Sequence, residues 1–133
     1  MLQLPKWLSA NQHSSRGRPK QQPMSDANAA KLAALNDQAR RRQAHCRVMI
    51  TQGVLACDPI TVAELLIAVE DFDAFTPDND PYGDHDFGAI ILEGITFFWK
   101  MDYWDYDLQM QSPDPSDTSV TIRVLTIMLA EEY

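Results

Sequence analysis

Residues 72–88, FDAFTPDNDPYGDHDFG, are the segment around which the rest of the chain is organised. Its two prolines each fix one φ angle and remove one backbone donor, and its two glycines permit positive φ. We therefore predict a loop here rather than a helix or a central strand. Four aromatic side chains offer apolar anchors that hold such a charged loop on a core: Phe72, Phe75, Tyr82 and Phe87.

Two helices and a short strand are predicted upstream of this segment. Asp58-Pro59 is a strong helix start, a cap followed by proline, and an apolar stripe follows it to a helix end near Asp71. An earlier helix is capped at Ser25 or Asp26 and ends in three arginines, and residues 47–51, RVMIT, favour a strand. The stripe of the later helix comprises Val62, Leu65, Leu66 and Val69.

Downstream, a β-hairpin is predicted around Glu93-Gly94, a two-residue turn with glycine in its second place. Its arms are residues 87–92 and 95–103, and the second arm carries aromatic side chains on both faces. A strand of this kind lies in the centre of a sheet or meets a partner on one face.

The C-terminal segment is predicted to be a buried helix. Ser116 or Asp117 supplies its cap, the helix extends to Glu132, and residues 120–129 are apolar over most of its circumference. Such a helix needs cover on nearly every side. We expect the other helices of the same chain to supply that cover, which favours a monomer over a homodimer.

These elements predict one α+β domain, residues 25–133, preceded by a flexible basic tail, residues 1–24. Its sheet is small and mainly antiparallel, with about three helices packed chiefly on one face. With 133 residues and 45% apolar side chains, the chain is long enough for a modest core and does not need a second domain.

Charge is divided unevenly between the two parts of the chain. The net charge is −8, but residues 1–50 hold nine Lys or Arg and two Asp. Residues 51–133 hold two Lys or Arg and seventeen Asp or Glu. The two cysteines lack the spacing of zinc ligands, and no signal peptide or membrane span is apparent. We therefore expect a cytoplasmic protein with no cofactor, no membrane association and free thiols.

Several blocks of the sequence resemble a bacterial family catalogued as domain of unknown function 3768. They are FTPDNDPYGDHDFGAI, FFWKMDYWD, SPDPSD and RVLTIMLAEEY, with LNDQAR and MITQGV upstream, and together they span about residues 32–133. The family has no established activity, but its members often sit on plasmids and other mobile elements. The resemblance therefore implies an accessory protein that acts between a mobile element and the host systems that handle DNA.

A metal site is the first chemical hypothesis for the loop, because five side chains offer ligands for calcium, magnesium or manganese: Asp78, Asp80, Asp84, His85 and Asp86. The calcium-loop pattern fits in part. Asp78, Asp80, Gly83 and Asp86 take its first, third, sixth and ninth positions, but Tyr82 and Ala89 stand where ligands are required. The identity of a metal, if one binds, is left open.

Catalysis is the second hypothesis. His85 would be a general base oriented by Asp84 or Asp86, with Lys100 and Asp102 contributing from the hairpin. No nucleophile context and no phosphate-binding glycine loop accompany it. A metal-dependent enzyme that uses the Asp/His-rich loop, residues 78–86, is therefore the less favoured alternative, and a structural role for His85 is simpler.

The favoured hypothesis is a non-enzymatic interaction protein whose acidic surface binds a basic protein, for example as a DNA mimic or as an inhibitor of a nucleic-acid-handling or defence protein. Nucleic acid itself is expected to bind only through Arg40, Arg41, Arg42 and the tail. A solvated helix end is the simpler explanation of the triplet, and docking on the acidic half of the same chain is a further alternative. The predicted partner-binding residues are Asp78, Asp80, Tyr82, Asp84, His85, Asp86, Trp104, Asp105 and Tyr106.

Overall fold

The computed structural model describes residues 26–133, so the predicted tail, residues 1–24, lies outside the described residues. The main elements are α1 (Asp26–Arg40), β1 (Arg47–Ile50), α2 (Gln52–Leu55), α3 (Pro59–Asp71), β2 (Phe87–Leu92), β3 (Ile95–Trp104) and β4 (Ile122–Leu129). Short 3-10 turns lie at Thr118–Val120 and Ala130–Glu132.

The four strands form one mixed sheet in the order β1-β4-β3-β2. β2 with β3 and β3 with β4 pair antiparallel, whereas β1 pairs parallel with β4. The predicted class, an α+β domain with a mainly antiparallel sheet, is confirmed.

The helices lie on one face of this sheet, and the main core is the layer between the helices and that face. Alternate residues of β3 and β4 point into it, among them Trp99 and Leu125, and the helices contribute Ala39, Val54 and Leu65. α3 begins at Pro59 after Asp58, as the cap and proline predict. The helix α2 turns the chain directly after β1, and its backbone N–H at Gly53 donates to the carboxylate of Glu132.

The hairpin formed by β2 and β3 is confirmed, including its turn. Glu93 and Gly94 have φ angles of 52° and 74°, the two positive values that a type I′ turn requires. Glycine adopts this conformation without strain. The local sequence therefore sets the register in which Leu92 lies opposite Ile95.

The predicted C-terminal helix is wrong, because this segment is the strand β4. It lies between β1 and β3, and seven of its eight residues are buried. A continuous apolar run suits a strand that is buried on both faces as well as it suits a buried helix. The β-branched residues of this run favour the strand: Ile122, Val124, Thr126 and Ile127.

Asp117 is an N-cap, as predicted, but it caps a three-residue 3-10 turn and not a long helix. Its carboxylate accepts a hydrogen bond from the backbone N–H of Ser119 and closes the 3-10 turn Thr118–Val120. Because β4 is already buried within a single chain, its apolar side chains do not require cover from a second chain. The oligomeric state itself stays a prediction.

Candidate functional site

The sheet topology brings two acidic loops to the same end of the molecule. The first acidic loop, residues 72–86, leads into β2, and the second acidic loop, residues 105–121, joins β3 to β4. Because these strands are antiparallel neighbours, the start of β2, the end of β3 and the start of β4 lie side by side. The two loops contain no Lys or Arg and nine aspartates: Asp73, Asp78, Asp80, Asp84, Asp86, Asp105, Asp107, Asp114 and Asp117.

Aromatic packing anchors the first acidic loop to the core, as expected from its sequence. The rings of Phe72 and Phe75 pack edge-on against Trp99, with centroids 5.5 and 6.1 Å away. The imidazole of His85 stacks on Phe75 at 3.8 Å, with the two planes 2° apart. Phe87 belongs to β2 instead and packs against Phe98 on the opposite face of the sheet. The loop is thus held from inside although its charges repel one another.

The imidazole of His85 lies between two carboxylates. Its Nδ1 is 3.0 Å from Oδ1 of Asp37 on α1, and its Nε2 is 3.7 Å from Oδ2 of Asp80. The prediction that Asp84 or Asp86 orients His85 is therefore wrong, because Asp37 occupies that position. Lys100 and Asp102 alternate with the core residues Trp99 and Met101 along β3, so they face away from His85.

A buried polar network under the loop was missed at the sequence level. The Asn36 side chain donates from Nδ2 to the Asp84 carbonyl at 2.8 Å and to the Tyr103 hydroxyl at 2.7 Å. Its Oδ1 accepts from Nε of Arg123 at 2.8 Å. Burial raises the pKa of Tyr103 well above its usual value, so the phenol stays protonated. The available signal was an asparagine within the buried stripe of α1, where an apolar side chain is usual.

Arg40 belongs to the core and not to a solvated helix end. Its guanidinium is fully buried and donates to the carbonyl of Val69 at 2.8 Å and to Asp37 at 2.7 Å. It also lies 5.0 Å from the centre of the Trp99 ring. The prediction that Arg40 meets nucleic acid is therefore wrong. Arg41 and Arg42 are exposed, and their role stays a prediction.

Three carboxylates of the first acidic loop converge. The side chains of Asp80, Asp84 and Asp86 each place an oxygen within 4.8 Å of the others, and Asp84 and Asp86 are buried. Burial and then repulsion from Asp84 raise the pKa of Asp80. Asp78 is exposed and outside this cluster, so the partial calcium-loop pattern does not describe the arrangement. Oxygens so placed suit a hard divalent cation.

The predicted partner-binding residues differ in how far they are exposed to solvent. Two of them are exposed, Asp78 and Tyr106. Four are partly buried: Asp80, Tyr82, His85 and Asp105. Three are buried and are not at the surface where a partner would meet them: Asp84, Asp86 and Trp104. Their assignment as direct partner contacts is corrected accordingly, because the sheet and the loop fold over them.

Carboxylates of the second acidic loop are held in fixed positions. Asp105 accepts a hydrogen bond from the backbone N–H of Gln109 at 3.1 Å, and Asp114 accepts from the hydroxyl of Ser116 at 2.6 Å. Two hydrogen bonds from Ser119 lower the pKa of Asp117, which is fully exposed. These turn contacts keep the negative charges in place before any ligand arrives.

Carboxylates outnumber basic side chains at this end, although Arg47, which lies opposite Val124, and Arg123, which donates to the Pro115 carbonyl, are also found here. The described part of the chain holds seven Lys or Arg residues. Three of them are buried, and the exposed ones lie on α1, after its end or at the start of β1. The buried set is Arg40, Lys100 and Arg123, and the exposed set is Lys31, Arg41, Arg42 and Arg47. Between Asp26 and Tyr133, no helix is long and apolar enough to cross a membrane.

A sequence model of the family described as "Protein of unknown function (DUF3768)" matches residues 50–132. The matched region contains both acidic loops, whereas α1, with Asn36, Asp37 and Arg40, precedes it. No curated protein and no solved structure shows significant similarity to the chain.

Proposed function

The chain belongs to the DUF3768 family, whose function is unknown, and we propose that it is a non-enzymatic cytoplasmic protein whose two acidic loops bind a basic protein partner. The observation that carries this proposal is that the two loops at one end of the sheet contain nine aspartates and no Lys or Arg. A field of one sign at one end attracts and orients a partner of the opposite sign.

The spacing and fixed positions of the exposed aspartates indicate which class of partner would bind. Exposed aspartates in ordered turns present separate negative charges at fixed positions, as the phosphates of a nucleic acid do. Tyr106 stands among them, 60% exposed, and offers the aromatic contact that interfaces favour. A protein with a basic nucleic-acid-binding surface fits such an end, and the chain then acts as a DNA mimic or inhibitor. This fits the mobile-element context that the family resemblance implies.

The test is a competition experiment with charge-reversed variants. A partner captured from a bacterial lysate is purified, and its binding to a labelled DNA duplex is measured with increasing amounts of the chain. We expect the wild-type chain to displace the duplex. Asp78→Lys/Asp107→Lys should weaken displacement by at least about tenfold, because like charges then face the basic partner. Both aspartates are exposed, so the fold is retained.

The matched control reverses two exposed charges that lie outside both acidic loops and outside β2 and its flanks, Glu64→Lys/Glu131→Lys. It changes the net charge equally and should displace the duplex as the wild-type chain does. Equal loss in both double variants would mean that net charge alone is responsible. A captured protein that binds the chain and the duplex at the same time would contradict the proposed mimicry.

A second candidate is a metal-dependent function at Asp80, Asp84 and Asp86, favoured by their convergence within 4.8 Å. We expect calorimetric titration with calcium, magnesium or manganese to give heat with the wild-type chain, because a cation relieves the repulsion among these carboxylates. Asp84→Asn should abolish the heat, whereas Asp78→Asn, which lies outside the cluster, should leave it unchanged. Absence of heat and of any thermal shift with all three ions would remove this candidate.

A further inference from the structure

Among the strands of residues 26–133, β2 forms one edge of the sheet, since β3 is its one neighbour in the order β1-β4-β3-β2. Its residues, FGAIIL, include no charge and no proline. Natural proteins usually protect an edge of this kind with lysine, proline or a covering segment. The edge is therefore open to pairing unless something else restricts it.

The register identifies which backbone groups point outward from this edge. Met101 N–H donates to the Asp86 carbonyl at 2.9 Å, and these two residues lie opposite each other, next to the pair Phe87 and Lys100. In an antiparallel ladder the bonded pairs alternate. Phe87, Ala89 and Ile91 therefore direct their backbone N–H and C=O groups away from β3.

Two of these three residues are also exposed. Ala89 is exposed and the side chain of Ile91 is 70% exposed. Among the described residues, no hydrogen bond reaches the outward backbone groups of Ala89 or Ile91. An incoming strand would gain up to four main-chain hydrogen bonds at these two positions and would cover the Ile91 side chain.

Charge around the strand decides what kind of segment fits. The first acidic loop, with the exposed Asp73 and Asp78, precedes β2, and the exposed Glu93 immediately follows it. A second copy of the chain, paired antiparallel, would place acidic flanks beside acidic flanks. An extended segment with an apolar centre and basic ends would instead place opposite charges side by side. The other edge, β1, begins with Arg47 and repels such a segment.

We propose that the β2 edge is a docking site for an extended basic segment of a partner protein, which adds a fifth strand beside Ala89 and Ile91. This inference rests on the proposed function, because it names how the basic partner is held next to the acidic loops. It assigns affinity to main-chain pairing and orientation to the charges at both ends of β2.

The test uses two synthetic peptides with a centre of alternating valine and threonine. One carries lysines at both ends, and the other carries glutamates. We expect the lysine peptide to bind the full chain and to shift the backbone amide signals of Ala89 and Ile91 in ¹H–¹⁵N spectra. The glutamate peptide should bind at least about tenfold more weakly.

Ile91→Lys should weaken binding of the lysine peptide at least about tenfold, because the new charge stands on the edge itself. The matched control is Ile67→Lys on the outer side of α3, where the isoleucine is 62% exposed. It makes the same change at similar exposure and should leave the affinity unchanged. Ala89→Pro removes one outward N–H and no bond to β3, so it should weaken binding as well.

Three results would overturn the docking site: equal binding of both peptides, equal loss in Ile91→Lys and Ile67→Lys, or unshifted Ala89 and Ile91 signals. Protection of these amides from exchange in the chain alone would also overturn it, because a second copy or the chain's own tail would then occupy the edge. If the captured partner is lost with Asp78→Lys/Asp107→Lys but kept with Ile91→Lys, the edge is wrong and the proposed function stands. If the chain displaces no captured partner from DNA while the lysine peptide still binds, the proposed function is wrong and the docking site at the β2 edge stands.

Discussion

Replacing Arg40 by methionine is expected to lower the free energy of unfolding by about 3–5 kcal/mol, although methionine fills much of the same volume. The guanidinium joins three parts of the molecule: it donates to Asp37 on its own helix, to the Val69 carbonyl at the end of α3, and it covers Trp99. Its removal takes the charged donor from the Val69 carbonyl and from the Asp37 carboxylate, although Asp37 keeps its contact with His85. Hydrogen bonds to charged groups are the costlier ones to lose.

Urea denaturation measures this effect, and the neighbouring arginine supplies the control. Arg41 is exposed, so Arg41→Met should change the free energy of unfolding by no more than about 0.5 kcal/mol. Arg40→Lys should be intermediate, because an ammonium keeps the charge but cannot donate in the fork geometry of a guanidinium. A loss below about 1 kcal/mol for Arg40→Met would contradict the structural role assigned to this residue.

Asp102→Ala is expected to cost a comparable amount, about 3–5 kcal/mol, because it leaves the buried ammonium of Lys100 without its nearest carboxylate. The two groups are 3.1 Å apart, and both side chains are buried on the sheet face opposite the helices. A buried pair is often no more stabilising than apolar side chains of similar size. We therefore expect Lys100→Met/Asp102→Leu to recover most of the stability lost in Asp102→Ala.

The same pair gives a pH dependence whose sign can be stated. Burial raises the pKa of Asp102 to about 6, although Lys100 partly offsets the effect. The folded chain therefore holds a proton that the unfolded chain has released between about pH 4 and pH 6. The contribution of Asp102 to stability is fully present below about pH 4 and is lost as the pH rises through about 6.

The measurement compares urea midpoints across this window. The wild-type chain should lose stability relative to Lys100→Met/Asp102→Leu as the pH rises from about 4 to about 7. The double variant is the control for every other titrating carboxylate, since it retains them all. Parallel pH profiles for the two proteins would show that Asp102 titrates normally.

Local signals decided which elements were predicted correctly. Asp58-Pro59 and Glu93-Gly94 restrict a few φ angles directly, so α3 and the hairpin appear where the sequence places them. The strand β4 was predicted as a helix because a fully buried run has no polar face from which to read a period. Its position depends on pairing with β1, in which Arg47 lies opposite Val124. A local sequence pattern does not reveal pairing between such distant residues.

For the candidate site, too, the sequence predicts the local feature and misses the contacts between distant residues. The first acidic loop was recognised from its composition, and three of its carboxylates do converge. The residues that position it were not recognised, because Asp37 meets His85 from a distance of 48 residues along the chain. Asn36 and Arg40 looked like parts of an ordinary amphipathic helix. Only their contacts across the core give them a role in holding the loop.

The placement of β4 has a consequence for biosynthesis. The strand that joins β1 to the hairpin is the last of the four described strands to be translated, so a nascent chain cannot assemble this sheet until β4 has been synthesised. Until then both β1 and β3 lack the neighbour that covers them, and such unpaired strands promote aggregation. The pairing of residues 47 and 124 joins distant parts of the chain, and long-range pairing of this kind slows folding. A product truncated before Ile122 therefore leaves β1 and β3 without their shared neighbour and is expected to be a substrate for chaperones and proteases.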